Sequence, residues 1–127
     1  GQPRPTILAV TILTSLDEGN LNEVGLIGPV GERVVRLAEL AQRAGVDGVV
    51  ASPQEILPIR QRCGPKFIIV TPGIRPAFAE ASRDDQKRVM TAKEAIIAGA
   101  DYIVIGRPVR LAPDPAVAMD KLLEEIG

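Results

Sequence analysis

The chain has 127 residues, which is the usual length of a single domain. Hydrophobic residues make up 46% and charged residues 24%, a balance that favours a packed core and excludes disorder as the main state. The 15 Lys and Arg nearly balance the 16 Asp and Glu, and only two Phe and one Tyr are present, so we expect no nucleic-acid surface. No apolar run reaches the roughly 20 residues that cross a bilayer, and no secretory signal pattern opens the sequence, so we expect a soluble, cytoplasmic protein without a membrane partner.

The sequence contains no histidine, and Cys63 is its single cysteine. An internal disulfide, a Cys-His nucleophile pair, a Ser-His-Asp triad and a Cys/His zinc site are therefore excluded within this chain. We interpret Cys63 as an ordinary small side chain near a helix end. Acid, base or anion chemistry is left to Lys, Arg, Asp, Glu and backbone N–H groups.

Four short apolar runs rich in Val and Ile predict the strands of a sheet. They are Ile7–Leu13, Val46–Ala51, Phe67–Thr71 and Tyr102–Ile105. None of them alternates with polar residues, a pattern that is typical of strands covered on both faces.

Helical patterns lie between and after these runs. The clearest is Gly31–Ala44, which carries an apolar stripe and is followed by Gly45 as the residue that ends the helix. A second helix is predicted for Thr91–Gly99, because Thr91 and Glu94 have the spacing of a capping box. The last is predicted for Asp114–Ile126, where an N-cap residue precedes a proline.

A further helix is predicted after Ser52-Pro53, with Ser52 as its cap. A proline inside a helix costs about 3 kcal/mol, so Pro58 predicts a kink or a late start. The alternation of strands and helices calls for a parallel sheet with right-handed crossovers. Gly45-Val46-Asp47 and Gly99-Ala100-Asp101 also echo one another, which indicates a structural repeat.

The length of each strand–helix unit predicts the architecture. Four units of about 32 residues each match the unit of a (β/α)8 barrel, which has about 250 residues in all. The sequence therefore predicts an α/β fold that is half of a (β/α)8 barrel, with residues 1–127 as one domain.

In such barrels function lies at the carboxyl ends of the strands. Thr14-Ser15, Ser52-Pro53, Pro72–Arg75 and Gly106-Arg107 follow the four predicted strands. A glycine there allows a ligand to approach the backbone, and an arginine adds charge-assisted hydrogen bonds, so Gly106-Arg107 indicates a phosphate site. An ordinary surface arginine is the alternative.

The segment from Pro72 to Arg88 is long and ends in the charged run Arg83–Arg88. A loop above about 12 residues without a strand or helix pattern is more often functional than accidental. Its charge alone does not separate a functional lid from a solvated loop.

Five segments together resemble the carboxyl-terminal half of the orotidine 5'-monophosphate decarboxylase family, strands five to eight of its barrel. They are Val10–Ser15, Gly48–Glu55, Val70–Arg75, Asp85–Arg88 and Ile103–Pro108. The resemblance implies a (β/α)8 barrel, normally a homodimer, that converts orotidine 5'-monophosphate to uridine 5'-monophosphate and carbon dioxide in pyrimidine biosynthesis. It also implies that neither a metal nor an organic cofactor takes part.

The resemblance further implies which residues bind the nucleotide monophosphate. The matching positions are Thr14, Ser15, Pro72, Arg75, Gln86, Gly106 and Arg107. Thr14 and Ser15 match residues that hydrogen-bond the pyrimidine edge, and Pro72 and Arg75 match the loop over base and phosphate. Gln86 matches the residue that closes this loop onto phosphate and base. The last two match the phosphate site after strand eight.

One family motif is not found in these 127 residues. It is the charged Asp-x-Lys-x-x-Asp motif of strand three, which with an Asp and a Lys of strands one and two opposes the substrate carboxylate and protonates the carbanion. We interpret Lys66 and Lys93 as ordinary solvated lysines, so no residue here is expected to be catalytic. The chain is predicted to be the substrate-binding half, inactive alone, with either the missing amino-terminal half or a second copy as its partner.

Two alternatives remain at this stage. An open half barrel has two bare strand edges and an apolar inner face, which also suits a non-catalytic assembly module. Other barrels that act on sugar phosphates share the phosphate site of strands seven and eight, so a sugar-phosphate substrate is the second alternative.

Overall fold

Four short parallel strands form one sheet, and their order in space is their order in the sequence. The computed structural model of the chain describes residues 3–79 and 89–127. The strands are β1 (Leu8–Val10), β2 (Gly48–Val50), β3 (Ile68–Thr71) and β4 (Tyr102–Ile103). The prediction of four parallel strands connected by helices is confirmed.

The strands are shorter than the apolar runs that predict them. Single hydrogen bonds continue the sheet by about one residue at each end. At the amino end the Asp47 N–H donates to the Ile7 carbonyl at 2.9 Å, and at the carboxyl end the Val104 N–H donates to the Thr71 carbonyl at 2.9 Å. Beyond them the chain turns into the loops that lead to the helices. The predicted strand ends were therefore too generous, because apolar residues continue into those turns.

Six α-helices and one 3-10 turn are present in the described residues. They are α1 (Glu18–Glu23), α2 (Val30–Arg43), the 3-10 turn Pro53–Glu55, α3 (Ile56–Cys63), α4 (Ala92–Ala98), α5 (Arg107–Arg110) and α6 (Pro115–Ile126). The sequence does not predict α1 or α5. Gly19 and two asparagines make α1 a weak helix former, and its capping box pairs Asp17 with Asn20 instead of the usual Ser/Thr with Glu/Gln. Four residues are too few for α5 to show a helical period.

The helix ends follow the predicted signals. Thr91 Oγ1 accepts the Glu94 N–H at 3.2 Å while the Glu94 carboxylate accepts the Thr91 N–H at 2.9 Å, so the capping box of α4 is confirmed. Asp114 Oδ1 accepts the N–H of the second residue of α6 at 3.1 Å. Gly45 and Gly99 follow α2 and α4 with φ of 92° and 114°, which only glycine adopts without strain.

The predicted late start after Ser52 is confirmed. Ser52 is the N-cap residue of the 3-10 turn, and its carbonyl accepts the Glu55 N–H at 3.1 Å. The prediction that its side chain caps the turn is wrong, because the hydroxyl makes no capping hydrogen bond. Pro58 is the third residue of α3, where a backbone N–H has no partner inside the helix, so no hydrogen bond is lost. The helix ends at Cys63, where burial raises the pKa of the thiol.

One face of the sheet carries the core. Val49 and Ile69 are in register on β2 and β3, and both are fully buried against Val34 and Ala38 of α2 and Ile59 of α3. The helices therefore cover this face of the sheet.

The opposite face of the sheet is open. Val10 and Tyr102 each expose 63% of their surface, and Val104 exposes 52%. Val50 and Val70 lie between them in the same row of the sheet and are half-buried. The apolar strands therefore predict cover on both faces of the sheet, whereas residues 3–79 and 89–127 cover one of them, as expected of half a barrel.

The sequence echo corresponds to one repeated contact at the amino ends of the strands. Asp47 Oδ2 accepts the Ile7 N–H at 2.7 Å, and Asp101 Oδ2 accepts the Ile69 N–H at 2.8 Å. Each carboxylate also pairs with an arginine, Asp47 with Arg4 at 2.7 Å and Asp101 with Arg60 at 2.8 Å. In both copies an aspartate thus joins the start of its own strand to the strand before it.

We predict that Asp47 makes stability depend on pH in the acid range. The hydrogen bond from Arg4, followed by that from the Ile7 N–H, holds the pKa of Asp47 below its usual value of about 4. The folded state therefore binds fewer protons than the unfolded state, so this contribution is present above about pH 4 and is lost as pH falls through the lowered pKa. Urea unfolding at a series of acid pH values should show the free-energy difference between the chain and D47N shrinking as pH falls. A difference that is constant with pH would contradict this assignment.

Candidate phosphate and pyrimidine site

Thr14 and Ser15 form a turn that begins three residues after the end of β1. The Leu13 carbonyl accepts the Leu16 N–H at 3.0 Å, so the two predicted residues are the central pair of this turn. Thr14 is only 5% exposed, and its Oγ1 has no hydrogen-bond partner among residues 3–79 and 89–127. A buried hydroxyl without a partner costs about 1–3 kcal/mol, so this position favours a polar group supplied from outside the described chain.

Pro72 lies at the exit of β3 and is half-buried. The preceding residue, Thr71, is fully buried, and its Oγ1 donates to the Ala51 carbonyl at 2.7 Å. This side-chain bond ties the end of β3 to the end of β2, so Pro72 leaves the sheet from a fixed point.

Arg75 is held by backbone pairing with a residue far along the chain. Its N–H donates to the Met90 carbonyl at 2.8 Å, and the Met90 N–H donates to the Gly73 carbonyl at 3.3 Å. Its side chain is half-buried beside a groove of about 330 Å3. The groove is lined by Arg75, Pro76, Ala77, Ala79, Val89, Met90, Thr91 and Glu94.

Gly106 and Arg107 follow β4 and start α5. The Gly106 carbonyl accepts the N–H groups of Val109 at 3.1 Å and Arg110 at 2.9 Å, so the turn is fixed by its own backbone. A Cβ placed on Gly106 would meet no atom of residues 3–79 and 89–127 within 4 Å, so these residues leave the Gly106 backbone open to an approaching group. Arg107 is exposed.

The structure brings these residues to one edge of the sheet but does not join them in one groove. Because the four strands are parallel, their carboxyl ends lie at the same edge, and the exits of β3 and β4 are neighbours. Thr14 leaves from β1, the strand farthest from β4. Among the predicted site residues that the structure describes, only Arg75 lines the groove described above. Gln86 lies outside the described residues.

A larger groove of about 700 Å3 lies between α2 and α3. Val35 and Glu39 of α2 and Pro58 and Arg62 of α3 are among its lining residues, and no strand-exit residue predicted for the site contributes to it. Its walls are helix surfaces, so it is separate from the candidate site.

Glu55 is a strand-exit residue that is not among the predicted site residues. It lies in the turn after β2 and is only 4% exposed, which is rare for a carboxylate. A charged residue between Pro53 and the apolar start of α3 is the signal that could have marked it. Lys66 and Lys93, by contrast, are exposed, in agreement with their interpretation as solvated lysines.

Within residues 3–79 and 89–127, no group of three or more Cys, Asp and Glu side chains is placed to hold a metal ion. The helices of the same residues include none with the length and apolar character needed to span a bilayer.

A comparison with family profiles decides the family. The profile described as orotidine 5'-phosphate decarboxylase / HUMPS family matches residues 1–122. The chain belongs to this family. The family resemblance seen in the sequence is thereby confirmed.

Curated members of the orotidine 5'-phosphate decarboxylase family are similar along nearly the whole chain. The decarboxylase of Geobacter sulfurreducens is 62% identical over 126 residues, which are 99% of this chain and 52% of that protein. The decarboxylase of Geotalea daltonii is 60% identical over the same shares of the two chains. The chain thus spans about half the length of the curated relatives it matches.

Solved structures of the family give the same proportion. The orotidine 5'-phosphate decarboxylase of Lactobacillus acidophilus has a TM-score of 0.78 and 39% identity, over 100% of this chain and 51% of that one. The enzyme of Pyrococcus horikoshii has a TM-score of 0.57 and 33% identity, over 76% of this chain and 43% of that one. The predicted half of a (β/α)8 barrel is therefore confirmed.

Proposed function

We propose that residues 1–127 form the phosphate- and pyrimidine-binding half of an orotidine 5'-monophosphate decarboxylase. The complete barrel would convert orotidine 5'-monophosphate to uridine 5'-monophosphate and carbon dioxide without a cofactor. The observation that carries the proposal is 62% identity over 99% of the chain to a protein named for that activity. In this proposal the protein acts in the cytoplasm as a homodimer.

Thr14 and Ser15 are proposed to recognise the pyrimidine edge. A neutral base presents N–H and carbonyl groups, which neutral hydroxyl groups can pair with. The buried Oγ1 of Thr14, without a partner in residues 3–79 and 89–127, supports this role because a base edge would satisfy it. Pro72 is proposed to pack over the base from the neighbouring strand exit.

Arg75, Gly106 and Arg107 are proposed to bind the phosphate. An arginine fork and open backbone N–H groups suit a phosphate dianion better than a lysine point charge does. The adjacent exits of β3 and β4 and the open space beside Gly106 support this assignment. Gln86, which lies between Arg75 and Gly106 in the sequence, is proposed to contact both the phosphate and the base.

The open face of the sheet is proposed to pack against the other half of the barrel. Its exposed residues are Val10, Tyr102 and Val104, an apolar set that has no cover from the described chain. Exposed leucines also lie on the first long helix and the last one, Leu37 and Leu40 on α2 and Leu123 on α6. Exposure of both the inner face and these two helices is what the removal of a half barrel would leave.

The isolated chain is predicted to be inactive and to become active when the barrel is completed. The experiment mixes it with the portion of the Geobacter sulfurreducens relative that lies outside the match, and follows loss of orotidine 5'-monophosphate. We expect no turnover from either piece and turnover from the co-folded pair. The reason is that remote phosphate contacts can lower the barrier only when the groups that oppose the substrate carboxylate are present.

Within that pair, Arg107→Ala tests the phosphate site. We expect a loss of about 10 to 100-fold in kcat/KM, since a hydrogen bond to a charged group contributes about 1.5–3 kcal/mol. Arg110→Ala, one turn further along α5 and also exposed, is the matched control and should change little. Turnover by the 127-residue chain alone would overturn the proposal that the bond-breaking groups come from elsewhere.

A second candidate function is a self-associating module without catalysis. The exposed apolar row on the inner face favours it, because a second copy could cover that row. Light scattering decides whether copies associate, and a clean monomer at high concentration would exclude this candidate.

A further inference from the structure

Glu125 of α6 joins two backbone segments that are far apart in the sequence. Its Oε2 accepts the Ala77 N–H at 2.8 Å, and its Oε1 accepts the Ala92 N–H at 3.0 Å. Ala77 lies two residues after Arg75, and Ala92 is the first residue of α4. One carboxylate thus uses both of its oxygens to fix the distance between these two segments, a contact that we call the Glu125 bridge.

The Glu125 bridge does not duplicate the cap of α4. Thr91 and Glu94 form that cap with each other, and the Ala92 N–H is left for Glu125. The bridge therefore adds a connection between α4 and the segment after β3 that the helix itself does not need.

A second contact links the same face of α6 to the segment after β3. Lys121 lies one turn before Glu125, and its Nζ is 5.8 Å from the centre of the Phe78 ring, within the range of a cation–π contact. Two residues of α6 thus hold the two neighbours Ala77 and Phe78.

These contacts bear directly on Arg75. The Arg75 N–H donates to the Met90 carbonyl at 2.8 Å, so Arg75 sits on one segment and its backbone partner on the other. The Glu125 bridge connects the same two segments at Ala77 and Ala92, each two residues after this hydrogen-bonded pair. A change in their separation would displace the Arg75 guanidinium.

We propose that Glu125 is a positioning residue that sets Arg75 for binding a phosphate monoester. This inference rests on the proposed function of the Arg75 segment. Glu125 cannot bind an anion itself, because an ionised carboxylate only accepts hydrogen bonds. It acts through the backbone of Ala77 and Ala92.

Charge and position predict opposite results for removal of this carboxylate. If Glu125 acted only as a nearby negative charge, its removal would strengthen the binding of an anion. If it positions Arg75, its removal weakens that binding, since misplacement of a binding group by about 1 Å can cost up to about 100-fold.

The test compares uridine 5'-monophosphate with uridine by calorimetric titration of the chain, E125A and E125Q. We expect E125A to weaken nucleotide binding about tenfold and to leave uridine binding unchanged. The nucleotide affinity of E125Q should lie between those of E125A and the unchanged chain, because its amide oxygen can accept one of the two N–H groups. Glu124→Ala, the exposed neighbouring residue, is the matched control.

Amide hydrogen exchange at Ala77 and Ala92 supplies the second measurement. We expect faster exchange at both amides in E125A and E125Q, with Glu124→Ala unchanged. The inference is overturned by unchanged exchange, by stronger nucleotide binding in E125A, or by a lower Tm with an unchanged ratio of the two affinities. A chain that binds uridine as tightly as its monophosphate would instead overturn the proposed phosphate site, and exchange would still decide whether the Glu125 bridge exists.

Discussion

Replacing Arg60 by methionine should lower the free energy of unfolding by about 3 kcal/mol, the largest loss that we expect from a single side chain. The Arg60 guanidinium donates to the carbonyls of Gly64 at 3.0 Å, Phe67 at 2.5 Å and Gly99 at 2.6 Å, and it pairs with Asp101 at 2.8 Å. The side chain is only 17% exposed. Its removal takes a donor from three carbonyls and leaves Asp101 with the Ile69 N–H but without its arginine. The midpoint temperature of thermal unfolding should therefore fall by about 10 °C.

Arg62→Met is the matched control for this prediction. Arg62 lies on the same helix and pairs with Glu39 at 3.5 Å, but it is 63% exposed. Exposed ion pairs contribute at most about 1 kcal/mol, so the control should change little. Arg60→Lys should not restore stability, because an ammonium group cannot span four acceptors as a planar guanidinium does. Equal losses for R60M and R62M would contradict this account of Arg60.

Gly48→Ala should cost about 3 kcal/mol, because a Cβ at this residue of β2 would collide with Ile68 of β3. An alanine Cβ there would lie 2.1 Å from the Ile68 carbonyl oxygen and 2.6 Å from its Cβ. The obstacle is backbone in the middle of the sheet, so it cannot rotate away as a flexible side chain could. Chemical unfolding of the variant should show a lower midpoint with an unchanged m-value.

Gly31→Ala is the control for the loss of a glycine. Gly31 is the second residue of α2, and a Cβ there would lie more than 4 Å from every atom in the part of the chain that the structure describes. Alanine is favoured over glycine in helices by about 0.5–1 kcal/mol, so this variant should be unchanged or more stable. A Gly48→Ala variant as stable as Gly31→Ala would show that β2 and β3 do not approach as closely as described.

The elements with strong local signals were predictable. The capping box at Thr91 and the Asp114-Pro115 start each satisfy backbone groups within a few residues, so their effect is readable from the sequence. Helix α1 was not predicted, because its cap uses Asn20 and its sequence includes a glycine. The strand ends were overestimated, because residues continue to be apolar where the chain already turns.

The candidate site was predictable to the level of the strand exits. Parallel strand order places Thr14, Arg75 and Gly106 at one edge of the sheet, and that order follows from the alternation of strands and helices. The contacts that fix Arg75 were not predictable. Its partner Met90 and the Glu125 bridge depend on residues far along the chain, with Glu125 and Ala77 separated by 48 positions, and no local pattern marks them.

The outer edges of β1 and β4 have a consequence for how the barrel can close. A two-fold rotation about the barrel axis would place β4 of one copy beside β1 of the other at both seams, and both seams would be parallel. A second copy of the chain would therefore present the same strand edges, in the same direction, as the other half of the barrel. In the proposed assembly a second copy would compete with the other half for the same backbone groups, so we predict better assembly when the two halves are combined during folding than after each has folded alone.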